Sequence, residues 1–120
     1  MNAAAEYRRN MIQGKSGIGL VVVLYDALIA CMYKGALAMR AGEIEARTEH
    51  LNQALRIVGH LRGTLDRKAG GEVAANLDRF YDCIGSEILR ASATASCEVL
   101  EAQIAQIRSV AAAWKEVENK

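Results

Sequence analysis

Sixteen consecutive residues, Ile18 to Tyr33 (IGLVVVLYDALIACMY), carry more apolar surface than one helix needs to sit in a small core. A surface helix of a globular domain usually shows one apolar stripe at i, i+3, i+4 and i+7, with polar residues opposite. Val21, Val22 and Val23 instead project in three directions. Such a segment is either wrapped by its own domain on nearly every side or keeps apolar surface for a partner. β-Branched residues also fit strands. No second segment supplies a pairing partner, however, and a lone strand leaves its backbone donors and acceptors unsatisfied. The run is therefore expected to be a helix whose burial overrides local propensity.

The rest of the chain punctuates in the same way. It contains no proline, and glycines stand where periodic segments stop: Gly42 after the first, Gly70 and Gly71 near the middle. Four helices follow from this reading. The first runs from Ser16 or Gly17 to Ala41, with Ser16 as its N-cap. The second, from about residue 43 to residue 67, sets Ile44, Leu51, Val58 and Leu65 seven apart, with Ala54, Leu55 and Leu61 between them. The third, from Glu72 to Ala93, presents Val73, Leu77, Phe80, Ile84, Ile88 and Ala91. The fourth, from Ser96 to Val117, presents Leu100, Ile104, Ile107, Ala111 and Trp114. Short connections between long helices favour antiparallel neighbours. The expected fold is all-α, an antiparallel up-and-down four-helix bundle over 16–120, preceded by a short, mobile N-terminal segment, 1–15.

Several functions are excluded or disfavoured by composition. Fifteen basic and fourteen acidic side chains leave a formal charge of +1, with both signs interspersed, so no broad basic face offers itself to nucleic acid. Cys31, Cys83 and Cys97 are odd in number and lack metal spacing, which fits free thiols in a reducing, cytoplasmic compartment. No secretory signal is evident. Gly19 and Asp26 interrupt the apolar run, leaving it short of the roughly 18 uninterrupted apolar residues of a membrane span, so membrane insertion is not expected.

Catalytic patterns are likewise missing from the sequence. His50 and His60 do not follow a glutamate by three residues, as a di-iron bundle requires. The Gly14, Lys15, Ser16 triplet lacks the glycine and preceding strand of a phosphate-binding loop. No motif sets a histidine beside a nucleophile. Neither an enzyme nor a metal or other cofactor is expected. What remains is apolar surplus: Val22, Val23, Tyr25, Tyr33, Leu55, Ile57, Tyr81, Leu89, Val99, Val110 and Val117 lie outside the four stripes. Burying one large aliphatic side chain is worth about 1.5 to 3 kcal/mol. A partner that covers several of them recovers that stabilisation, and grooves between helices accept amphipathic segments that fold on binding.

The order of residues from Tyr7 to Ile29, YRRNMIQGKSGIGLVVVLYDALI, resembles the start of the flagellin export chaperones, the FliS family. That family shows an N-terminal tyrosine, a short spacer with an aliphatic residue, and a first helix whose leucine-rich run ends in Leu-Tyr-Asp or Leu-Tyr-Glu. Tyr7, Ile12, Leu20, Leu24, Tyr25, Asp26 and Ala27 fall into those places. The resemblance continues more loosely through Leu65 and Asp66, the Tyr81 region and the closing Ala113, Trp114 and Lys115. Family members usually carry a proline and acidic residues before the first helix, where this chain has Gly14 to Gly19, which implies a looser helix start.

The resemblance implies a cytoplasmic export chaperone that binds the disordered C-terminal segment of flagellin. It would prevent premature polymerisation and support delivery to the flagellar secretion apparatus, with export-gate components as further partners. It also implies that the segment around Tyr7 and Ile12 contacts or covers the client groove, and that Tyr25 and Asp26 act nearby. Leu55, Val58 and Leu89 are candidates for lining the groove. The protein is expected to be a monomer or weak homodimer. The competing reading is a self-associating helical-bundle adaptor or regulator without a flagellin client, which predicts a stable dimer.

Overall fold

The computed structural model describes residues 17–119. They form four helices: α1 (Gly17–Arg40), α2 (Ile44–Gly63), α3 (Arg67–Thr94) and α4 (Cys97–Glu118), with no strand among the described residues. The connections 41–43, 64–66 and 95–96 are two or three residues long, so successive helices must run antiparallel. Backbone packing joins α1 to α2, α2 to α3, α3 to α4 and α4 back to α1, while neither diagonal pair packs closely. The expected up-and-down four-helix bundle is the observed one.

Part of the apolar excess of α1 goes inward, while Tyr33 and Leu37 stay exposed. Val22, Tyr25, Leu28, Met32, Ala36 and Ala38 are buried, and Val21, Leu24, Ala27 and Ile29 pack against the same core from its margins. By length and composition, α1 is the one described helix able to cross a membrane. Its apolar surface instead meets two neighbours, with Leu51, Ala54, Ile57, Val58 and Leu61 of α2 on one side and Leu100, Ile104, Ile107 and Ala111 of α4 in the same core. Gly35 marks where α1 and α2 come closest. A Cβ there would lie 2.6 Å from Leu51 Cδ2 and 3.1 Å from its Cγ, so only a residue without a side chain lets Leu51 seat fully.

Three details differ from the sequence reading. The α2 helix stops at Gly63, several residues early, because the Thr64 hydroxyl donates to Leu61 O at 2.7 Å and Asp66 starts the next helix by accepting from Lys68 N and Ala69 N. The α3 helix thus begins at Arg67, not Glu72, but only for one turn. Gly71 breaks it at φ 51° and ψ −124°, and regular helix resumes beyond. That conformation is closed to residues with a Cβ. The predicted seams also shift: Ile44 is 66 % exposed at the start of α2, and Val73 is 65 % exposed on α3. In α3 the buried register is Ala74, Tyr81, Ile84, Ile88 and Ala91, with Phe80 half-buried. Tyr81 takes the inner position because its hydroxyl finds a partner there.

The remaining surplus divides in the same way. Val22, Tyr25, Ile57 and Tyr81 are core, Val23, Leu55, Val99 and Val110 are half-buried, and Tyr33, Leu89 and Val117 are exposed.

Filling the α1–α2 approach should be costly. Gly35→Ala is expected to lower stability by about 1 to 3 kcal/mol, because Leu51 must leave its seat in a packed core. Urea unfolding measures this directly, and an unchanged midpoint would mean that Leu51 moves aside at no cost.

Candidate functional site

The antiparallel order gathers the start of α1, the end of α2, the start of α3 and the end of α4 at one end of the bundle. There the α3 turn broken at Gly71 leaves a groove of about 690 Å³. Ile18 and Val21 of α1, Leu65 of the α2–α3 connection, Val73, Ala74 and Leu77 of α3 and Trp114 of α4 give it mostly apolar walls, and Tyr81 lies at its inner side. Past Val73, Leu77 and Trp114 the groove continues along α3 and α4 to Val110, Ala113 and Val117. A smaller cleft of about 240 Å³ runs between α2 and α3 and also touches Tyr81.

Beneath the large groove, two phenols meet. Tyr25 and Tyr81 pack edge to face with ring centroids 6.1 Å apart, and their hydroxyls are hydrogen-bonded at 2.8 Å, with either able to donate. Burial pushes the Tyr25 phenol above its usual value near 10, against the hydrogen bond with Tyr81. Burial also raises Tyr81 strongly, and the hydrogen bond to Tyr25 reinforces the shift. Neither phenol ionises easily where it stands.

Charged pairs join neighbouring helices, with Arg62 and Asp82 at the α2–α3 cleft. Arg62 at the end of α2 donates from Nε to Asp78 Oδ1 at 2.9 Å and from Nη2 to Oδ2 at 3.3 Å, and Arg67 Nη2 donates to the same Oδ1 at 2.9 Å. Arg62 also reaches Asp82 at 3.5 Å. The hydrogen bond from Arg62 holds the Asp78 carboxyl below the usual carboxylate range, against a partial desolvation and with help from the Arg67 charge. Lys115 of α4 pairs with Asp26 of α1 at 3.0 Å. Such exposed pairs set alignment more than they add stability.

These residues come from distant parts of the chain, and comparison with known proteins bears on why they meet. The sequence model described as "Flagellar protein FliS" matches residues 1–120. The chain belongs to the FliS family. A Vibrio cholerae relative named flagellar secretion chaperone FliS is 33 % identical over 82 % of this chain and 72 % of its own length. The Salmonella typhimurium protein of the same name is 28 % identical over 84 % of this chain and 76 % of its own. A Pseudomonas aeruginosa relative, flagellar secretion chaperone FliSB, is 29 % identical over 95 % of this chain and 94 % of its own.

The scattered stretches that resemble FliS converge at the groove end. Tyr25 bonds Tyr81, Asp26 pairs with Lys115, Leu65 and Trp114 stand in the groove wall, and Asp66 caps α3 beside them. Of the residues singled out from sequence, Tyr25 is fully buried and Asp26 is exposed. Leu55, Val58 and Leu89 come together on the smaller α2–α3 cleft, with Val58 largely in the core and Leu89 58 % exposed. Tyr7 and Ile12 lie outside the described residues, as does the Ser16 cap. In the larger groove's wall, Leu65, Val73, Leu77 and Trp114 are residues that the sequence pattern places in helix stripes, and Ile18 and Val21 belong to the apolar run of α1. The available signal was the Gly70 and Gly71 pair, which interrupts α3 just before Val73. Among the described residues no cluster of His, Cys, Asp or Glu is arranged to hold a metal, and all three cysteines are free.

The tyrosine pair has a pH signature. A phenol whose folded pKa lies above its unfolded value of about 10 contributes stability that is fully present below pH 10. That contribution is lost as pH rises toward the folded values. Tyr25 and Tyr81 should therefore ionise only together with unfolding, seen as a tyrosinate absorbance step near 295 nm coincident with loss of helical circular dichroism above pH 10. Ionisation of all four tyrosines with the helices intact would contradict the buried pair.

Proposed function

We propose that this chain is a flagellar secretion chaperone whose client is the disordered C-terminal segment of flagellin, taken up on the apolar groove at the α1–α3–α4 end. Family membership supports the chaperone role, and the groove is the observation that supports the site. It combines a large volume with exposed aliphatic side chains, of which Val73 is the clearest. A helix or turn of client laid along Val73, Leu77, Trp114 and Val117 removes apolar surface from water that the bundle itself leaves uncovered.

The mechanism in this reading is coupled folding and binding. A disordered tail buries about 1,000 to 3,000 Å² and spends about 2 to 5 kcal/mol on ordering, so it is held firmly yet remains releasable. While bound, its apolar face is unavailable for polymerisation. The α2–α3 cleft with Leu55, Val58 and Leu89 extends the same surface for a client that wraps further round the bundle. Tyr7 and Ile12 are assigned a contact or gating role on the resemblance to the family, in a segment 1–15 that leads to Gly17, next to Ile18 in the groove wall. Export-gate components are further partners in this reading, which is set in the cytoplasm and needs neither catalysis nor cofactor.

Titration of the purified chain with the C-terminal peptide of flagellin should show saturable heat, a negative heat-capacity change and a gain of helical circular dichroism. Lack of binding at tens of micromolar by the folded protein would contradict the proposal. Sedimentation should show no stable dimer without client; such a dimer would favour self-association. Val73→Asp separates groove from core. As an exposed substitution it should change stability by no more than about 0.5 kcal/mol, yet weaken the peptide by about tenfold, and unchanged affinity would remove Val73 from the site.

A further inference from the structure

Tyr25 stands apart from the groove but touches a residue that shapes it. It is fully buried and lies in the wall of neither the large groove nor the α2–α3 cleft. Its hydroxyl bonds Tyr81, which borders both. Trp114 shares the large groove's wall with Tyr81 and stands where that groove passes into its α3–α4 extension. One oxygen on α1 thus fixes the aromatic of α3 that both recesses share.

The position in the bundle makes this connection consequential. The α1 and α3 helices are diagonal and have no close backbone packing, so their separation is set by the side chains between them. Apolar rings alone tolerate small slides and alternative tilts, since dispersion is non-directional. A buried hydroxyl does not, because left unpaired it bears the full cost of its desolvation. A phenylalanine at residue 25 would fill nearly the same volume without fixing the direction of Tyr81.

We propose that Tyr25 is a positioning residue for the client groove, holding Tyr81 in the arrangement that the client meets without touching the client itself. This inference rests on the reading of the groove as the flagellin site. It assigns the tyrosine of the Leu24, Tyr25, Asp26 stretch a role in shaping recognition in addition to its place in the core.

The test uses the full chain, the C-terminal flagellin peptide, and the variants Tyr25→Phe and Tyr25→Phe/Tyr81→Phe. The single variant leaves the Tyr81 hydroxyl without its partner, so its melting temperature falls. The double variant removes both hydroxyls, so the melting temperature returns toward that of the parent. Peptide affinity is expected to fall about five- to tenfold in the single variant and to stay reduced in the double, since the directional link is lost in both. Affinity within twofold of the parent in both variants would overturn the assignment, as would affinity that recovers in step with melting temperature. If the parent chain binds no peptide, the flagellin reading itself fails and takes this inference with it. If the single variant does not fold, the double carries the comparison alone: reduced affinity at near-parental melting temperature supports the role, and parental affinity overturns it.

Discussion

Two buried phenol hydroxyls, 2.8 Å apart, span the diagonal of this bundle. The backbone packing around the ring α1, α2, α3, α4 is between neighbours, and the diagonal would be free to breathe without a directional contact across it. Tyr25 and Tyr81 supply that contact at the end where α3 is interrupted. A pair of polar groups in an apolar core is satisfied in one arrangement and costly in all others. This explains why α3 turns Tyr81 inward and leaves Phe80 at the margin, although phenylalanine is the more apolar of the two.

The groove follows from the same end of the fold. The first turn of α3 is capped by Asp66 and cut by Gly71, so its backbone departs from the line of the helix just where α1 begins. Val73 and Leu77, one and two turns on, are left without a full set of neighbours, and Ile18, Val21 and Trp114 face them across the gap. Arg62 and Arg67, converging on Asp78, tie the end of α2 and this turn to the body of α3. A surface of this kind is suited to a client that is disordered beforehand, because an extended chain adapts its own shape to a shallow apolar trough.

Much of the architecture was legible in the sequence because its signals were redundant. Absent prolines, glycines at breaks and repeating apolar spacings all pointed to four helices. The ends were less legible. Whether residues 64–71 continue α2, begin α3 or form a connection depends on which carbonyls Thr64 and Asp66 engage, and propensity does not encode that choice. The apolar arc of α3 was wide enough to fit two registers, one through Val73 and Phe80 and one through Ala74 and Tyr81. Only the hydrogen-bonding partner on α1 decides between them. The same ambiguity hid the groove, whose walls are stripe residues that tertiary packing left half covered. Leu55, Val58 and Leu89 did share a cleft, since α2 and α3 are adjacent and antiparallel. The scattered family-like pairs, Leu65 with Asp66 and Trp114 with Lys115, acquire a common meaning only when the fold brings them to Tyr25 and Asp26.

The central claim is that one end of the bundle, above the tyrosine pair, receives the client. Amide hydrogen exchange of the chain with and without saturating flagellin C-terminal peptide tests it most directly, because exchange reports where backbone opening is suppressed. The account predicts that slowing is greatest at residues 17–24, 64–77 and 110–117. Slowing concentrated instead at the opposite end, around residues 40–50 and 94–100, with the groove end unchanged, would contradict it.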